Sequence, residues 1–170
     1  MIKKSLLIVF LLLMAQGLFA LDDLFAGLSA EVNGQSRRGA AIGGGLILGY
    51  DLDQKYALGL RSSYFNNLDT VSCVETLALF RFYLPWELFS LNIENSFFIQ
   101  GEAGLIVFFE YGKRFPAFSG GFVFGWRFYL GEHWFLEPAI RGGYPHIWAV
   151  NVTAGLCFSI QVKAKNGGQP

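Results

Sequence analysis

The sequence predicts an all-β, eight-stranded antiparallel up-and-down transmembrane β-barrel, on three observations. Apolar residues alternate with small or charged ones at a period of two, in eight runs of about ten residues. Of the 170 residues, 53% are hydrophobic and 17% aromatic but only 15% charged, against about 25% charged in an ordinary soluble domain. Beyond the N-terminus no helical span follows, since the most apolar stretch, residues 97–109, alternates and carries Gln100 and Glu102. A sheet with one greasy face and no helical layer to cover it must meet lipid, and closure satisfies its backbone there.

The elements follow in order. Lys3 and Lys4 precede an apolar run from Leu6 to Met14, and small residues lead to Ala20, the shape of a secretory signal peptide. Cleavage is expected after Ala20, although Leu18 is large for such a site and a cut elsewhere between Ala15 and Ala20 is the alternative. The run is shorter than the ~20 residues of a membrane span, which argues against a helical anchor. The first cysteine is Cys73, so a lipid-modified N-terminal cysteine is excluded. Residues 1–20 are thus read as a signal peptide and residues 21–170 as one barrel domain with a short polar C-terminal tail.

Strands are predicted over residues 25–34, 40–50, 56–65, 72–84, 97–111, 118–130, 135–144 and 149–162. The clearest is the sixth, where Phe118, Gly120, Phe122, Phe124, Trp126, Phe128 and Leu130 share one face, and Ser119, Gly121, Val123, Gly125, Arg127 and Tyr129 the other. Turn chemistry separates the strands at 35–39, 51–55, 66–71, 112–117, 131–134 and 145–148, and only 85–96 is long. An even strand count returns both termini to one end. Aromatic belts are expected at that end from Tyr50, Tyr56, Phe82, Trp86, Phe128 and Trp134, and at the other from Tyr64, Phe109, Phe118, Tyr144 and Trp148. Cys73 and Cys157 fall on strands four and eight at different heights, which suits two buried thiols better than a bridge.

The alternation turns Glu31, Arg61, Glu75, Arg81, Gln100, Glu102, Glu110, Arg127, Glu137 and Arg141 inward. An eight-stranded barrel is just wide enough for side chains to fill, so these carboxylates and guanidinia are expected to pair in a plugged lumen. A symmetric loop around Lys113 to Phe115 would set Glu102 opposite Arg127, and Glu137 would fall diagonally beside that arginine across the next turn. The expected result is a Glu102, Arg127, Glu137 cluster with one guanidinium serving two carboxylates. The network either holds the barrel together or acts as a gate. Inward glycines such as Gly43, Gly59, Gly125 and Gly155 either leave room for water or accommodate the chains opposite.

Other chemistry is thin. Gly43-Gly44-Gly45 lies inside a strand with no helix after it, so a phosphate loop is rejected. His133 falls in a tight turn and His146 in the loop after Pro145, where it reads as an interfacial residue without catalytic role. No catalytic, metal or cofactor site is assigned, and the chain is expected not to be an enzyme. Without the signal the chain carries 11 basic and 13 acidic residues, so nucleic acid is not an expected partner. Arg37, Arg38, Lys113 and Arg114 occupy two loops of one rim, the cell-exterior one if the N-terminus is periplasmic, and are candidates for lipid-phosphate contacts.

In strand count, alternation, belts and signal, residues 21–162 resemble the small eight-stranded outer-membrane barrels of the OmpW, OmpX and OmpA-barrel type. The resemblance implies a bacterial outer-membrane location, lipids, periplasmic chaperones and the barrel-assembly machinery as partners, and passage of small hydrophobic solutes. No motif matches position by position, so no functional residue is carried over. Two features depart from the type: loops of about four to six residues on the exterior rim, and a last strand (Leu156, Phe158, Ile160, Val162) that continues into a polar tail. Either Phe158 serves as the terminal aromatic or the tail is tolerated. The leading reading is a structural barrel or a narrow gated conduit. The alternatives are a soluble periplasmic barrel binding an apolar ligand and a lipid-modifying enzyme.

Overall fold

The computed structural model describes residues 23–35, 39–53, 55–67, 71–84 and 96–158. The predicted signal segment, Arg37, Arg38, Trp86 and residues 159–170 lie outside these. Eight strands, β1 (Leu24–Gln35), β2 (Gly39–Asp51), β3 (Tyr56–Asn67), β4 (Ser72–Leu84), β5 (Ser96–Glu110), β6 (Lys113–Leu130), β7 (Trp134–Tyr144) and β8 (His146–Cys157), pair antiparallel in sequence order, and β8 closes on β1. The fold class is the one the alternation predicts.

Stepping between neighbours from Tyr144 through Gly120, Ala103, Ala78, Leu60, Leu48, Ala26 and Leu156 returns to β7 at Trp134, ten residues along the same strand. A stagger of that size tilts the strands by about 40°. Tyr144 and Trp134 are therefore separated by about 25 Å along the barrel axis, the height of a membrane-facing apolar band. Both are exposed, as are Tyr56 near the end holding the termini and Tyr64, Phe118 and Trp148 near the far end. Between the belts the outer wall presents Leu28, Leu46, Leu60, Phe122, Ile140 and Val150, all more than half exposed. Phe109, expected in the far belt, stands beyond it and pairs with Arg114.

Two strand starts differ from the sequence reading by three residues or more, and β8 ends at Cys157, with Phe158 outside it and the rest of the predicted run to residue 162 beyond the described residues. The loop expected over residues 112–117 is strand: β5 and β6 meet in a two-residue turn at Tyr111 and Gly112, with φ of 48° and 75°. Positive φ at both positions defines the turn whose twist suits a tight hairpin. Pro116 survives because β6 pairs with β7 only from Gly120 onward, so before that its outer edge has no ladder hydrogen bonds to lose. Tyr111 is a bulky residue in the left-handed region. Tyr111→Asn is expected to stabilise the hairpin by about 1 kcal/mol, read as a higher urea midpoint in lipid vesicles, and a lower midpoint would refute the strain.

The second difference is at β8, which begins at His146 rather than residue 149. The β1–β8 register shifts between Gly34 and Gln35, and Ile147 and Trp148 both face outward. This bulge inverts the alternation and turns His146 inward, where it is buried.

Four of the inward glycines are matched to aromatic rings. Phe25 stands opposite Gly49, Phe65 opposite Gly43, Phe98 opposite Gly125 and Phe135 opposite Gly155, each a direct cross-strand pair. A β-carbon on Gly49 would lie 2.1 Å from the Phe25 ring, and one on Gly125 2.3 Å from Phe98. These glycines make room for rings lying flat on the wall, not for a water column. Phe25, Phe98 and Phe135 join Ile47, Leu79 and Cys157 in an apolar core near the terminal end. A second core near the far end gathers Phe65, Cys73, Ile106 and Phe108. Neither cysteine is in a disulfide, and both are buried.

Candidate functional site

Strand β4 samples the whole lumen. Its inward residues, from the far end, are Cys73, Glu75, Leu77, Leu79, Arg81 and Tyr83, all buried. Charge thus appears at two levels, and a network forms at each.

At the far level Arg61, Arg141, Glu31, Glu75 and Glu102 form a connected ring. Arg61 is ion-paired to Glu31 and lies 3.4 Å from Glu102. Arg141 places Nε 2.8 Å from Glu102 Oε2, and its two terminal nitrogens 2.8 and 3.0 Å from the Glu75 carboxylate. Arg141 thus sets both terminal nitrogens on Glu75 and its Nε toward Glu102, a planar fork that a lysine ammonium lacks. Asn33 donates to Glu31, and Arg61 donates to Ser63. His146 Nε2 lies 3.2 Å from Glu75 Oε1, with its ring against Phe65.

At the terminal level one carboxylate serves two guanidinia. Glu137 accepts from Arg81 at 2.6 and 3.2 Å and also pairs with Arg127. Both guanidinia are wrapped in aromatic rings: Arg81 sits 3.8 Å from the Phe98 centroid, and Arg127 4.3 and 4.5 Å from those of Phe25 and Phe135. Ring faces partly replace the lost hydration of two like charges, and Glu137 neutralises one of them. Asp51 supplies the second negative charge, 3.4 Å from Arg127 and accepting from Tyr83 at 3.0 Å. Gln100 bridges the levels, accepting from Arg81 at 2.8 Å and donating to Glu102 at 2.7 Å.

The sequence-named residues therefore divide. Arg127 and Glu137 come together, but the expected Glu102–Arg127 contact is absent. The tight turn at Tyr111 and Gly112 puts Glu102 opposite Gly121 and Arg127 opposite Ser96, six positions from the symmetric-loop register. Glu102 joins Arg61 and Arg141 instead. Glu110 is half-buried near the hairpin tip, paired along the backbone with Lys113. Lys113 and Arg114 are exposed, the latter with its guanidinium 5.9 Å from the Phe109 ring centroid.

The sequence does not point to Asp51 or His146 as lumen residues, and it places Ser119 on the inward face of the sixth strand without a role. Asp51 closes β2 beside a turn, where an aspartate signals only the turn, and His146 depends on the bulge. Ser119 and His146 both address the same oxygen of Glu75, so the histidine does not stand between hydroxyl and carboxylate as a proton relay requires. Among the described residues, no three His, Cys, Asp or Glu side chains gather as metal ligands.

Between the levels lies an internal void of about 10 Å³, lined by Ser29, Arg61, Arg81, Gln100, Asn151 and Thr153 among others. That is room for about one water molecule.

The chain matches no protein-family model and no curated protein. Solved structures do resemble it. Neisserial surface protein A has a TM-score of 0.59 at 10% identity, over 79% of this chain and 94% of that one. The N-terminal β-barrel domain of Pseudomonas aeruginosa OprF has a TM-score of 0.56 at 13% identity, over 78% of this chain and 96% of that domain. At such identities the likeness speaks for the fold alone, and the chain has the eight-stranded antiparallel fold of the small outer-membrane β-barrels.

Proposed function

We propose that the protein is an integral bacterial outer-membrane barrel that acts as a sealed, structural element of the envelope and not as an open channel. The observation that carries this reading is the filled lumen: two buried ion networks joined by Gln100 and packed with two apolar cores, around a void of about 10 Å³. The exposed apolar wall, bounded by aromatic residues about 25 Å apart, supports the membrane location. It also opposes a soluble barrel, whose apolar residues would line the lumen. The signal-like residues 1–20 support export.

Solute flux into liposomes holding the refolded barrel tests the seal. Flux equal to that of empty vesicles is expected for small ions and sugars. Flux above it in the unaltered protein makes the barrel a conduit. Flux confined to Arg127→Ala leaves the native barrel sealed and assigns the seal to the cluster around Glu137.

A further inference from the structure

We propose that the outer wall of β4–β7 binds an anionic, phosphate-bearing lipid, with one acyl chain in a wall groove and the phosphate on the β5–β6 hairpin above it. This rests on the outer-membrane reading. The groove is a shallow depression of about 710 Å³, floored by Ala78, Gly101, Ala103 and Gly120 and flanked by Phe118 and Phe122. Elsewhere the wall carries leucine, isoleucine, valine or phenylalanine at most outward positions. The barrel itself does not demand so small a floor throughout: a β-carbon on Gly101 would meet nothing within 4 Å, and Ala103 is exposed. The space lies outside the protein's own packing and inside the apolar band, where a hydrocarbon chain is the available filler.

The headgroup end is set by the same strand. Outward positions of β6 run Arg114, Pro116, Phe118, Gly120 and Phe122, so the cation and the groove share one face. Arg114 is six residues from Gly120, about 15 Å farther along the barrel axis, and lies beyond the belt of Phe118 and Tyr144 where hydrocarbon ends. Lys113 stands at the same height on the other face of the strand, so Arg114 carries the outward charge, and the Phe109 ring supports its guanidinium. An amphiphile with a phosphate above and a chain below matches both features. A second copy of this chain fits less well. Inserted in the same orientation, it would bring its own Arg114 to that height and, among the described residues, no outward carboxylate.

The test uses the full chain purified from outer membranes in mild detergent and titrated in native mass spectrometry with diphosphorylated lipid A and with the same lipid dephosphorylated. About tenfold tighter binding of the phosphorylated form is expected, with Arg114→Glu erasing that preference. The double variant Gly101→Leu with Ala103→Leu should weaken both lipids by about tenfold, and Ala103→Leu alone by less. Heat-dependent gel mobility verifies that each variant is a folded barrel. Unchanged binding in the filled-groove variant, or a phosphate preference that survives Arg114→Glu, overturns the proposal. A dimer lost on filling the groove overturns it in favour of a second copy. Flotation with liposomes separates the two readings: a chain that fails to float refutes the membrane reading, and one that floats without lipid preference refutes only this site.

Discussion

Glu137→Leu is expected to cost about 3–5 kcal/mol of barrel stability, because it leaves two buried guanidinia without their shared carboxylate. Arg81 and Arg127 are 1% and 0% exposed, so water cannot replace what is lost. The remaining partners are weaker: Asp51 at 3.4 Å from Arg127, and the neutral Gln100 on Arg81. The aromatic rings attract each cation but do nothing about the repulsion between the two. Urea unfolding in lipid vesicles, followed by tryptophan fluorescence, measures the effect. Converting Arg81 and Arg127 to methionine in the Glu137→Leu background should recover much of the loss, since apolar side chains suit this aromatic surround. A loss below about 1 kcal/mol would mean that the cluster is solvated like a surface pair, and the sealed lumen would fall with it.

Gly49→Val should cost about 2–3 kcal/mol by overpacking. The three atoms nearest its β-carbon would all belong to the Phe25 ring, at 2.1, 2.4 and 2.7 Å, so that ring is the main source of the clash. Phe25 cannot turn freely, because Arg127 lies over its face and Phe135 meets it edge-on at 6.1 Å. Displacing the ring should therefore disturb the Glu137 cluster as well as the apolar core. Adding Phe25→Ala to Gly49→Val should relieve the clash, so the double variant should lose less stability than the sum of the two single losses. Strict additivity would show that the ring does not rest on the glycine.

The wall was legible in the sequence because alternation sets which face each side chain takes without reference to any neighbour. Pairing was less legible. Gly112 and Pro116 together read as a loop, since proline usually ends a strand, and nothing local reveals that this one lies on an edge without ladder partners. Centring the loop there moved the β5–β6 register by six positions. An even shift keeps every residue on its own face, so Glu102 and Arg127 still point inward while their partners change. His146 shows the opposite failure: one extra residue in a bulge reverses facing, and alternation alone assigns it to the outer surface. The ring–glycine pairs were half legible, the glycines plain and the rings opposite them dependent on register.

Cys73 and Cys157 give the molecule a native reporter at each mouth. One thiol is packed in the far core and the other in the terminal core, so neither can be alkylated until its own end of the lumen opens. Their separate rates of reaction with a small, membrane-impermeant reagent would time the breathing of the two mouths independently, without any introduced label. The comparison would tell whether the barrel frays from its ends or yields as a single body.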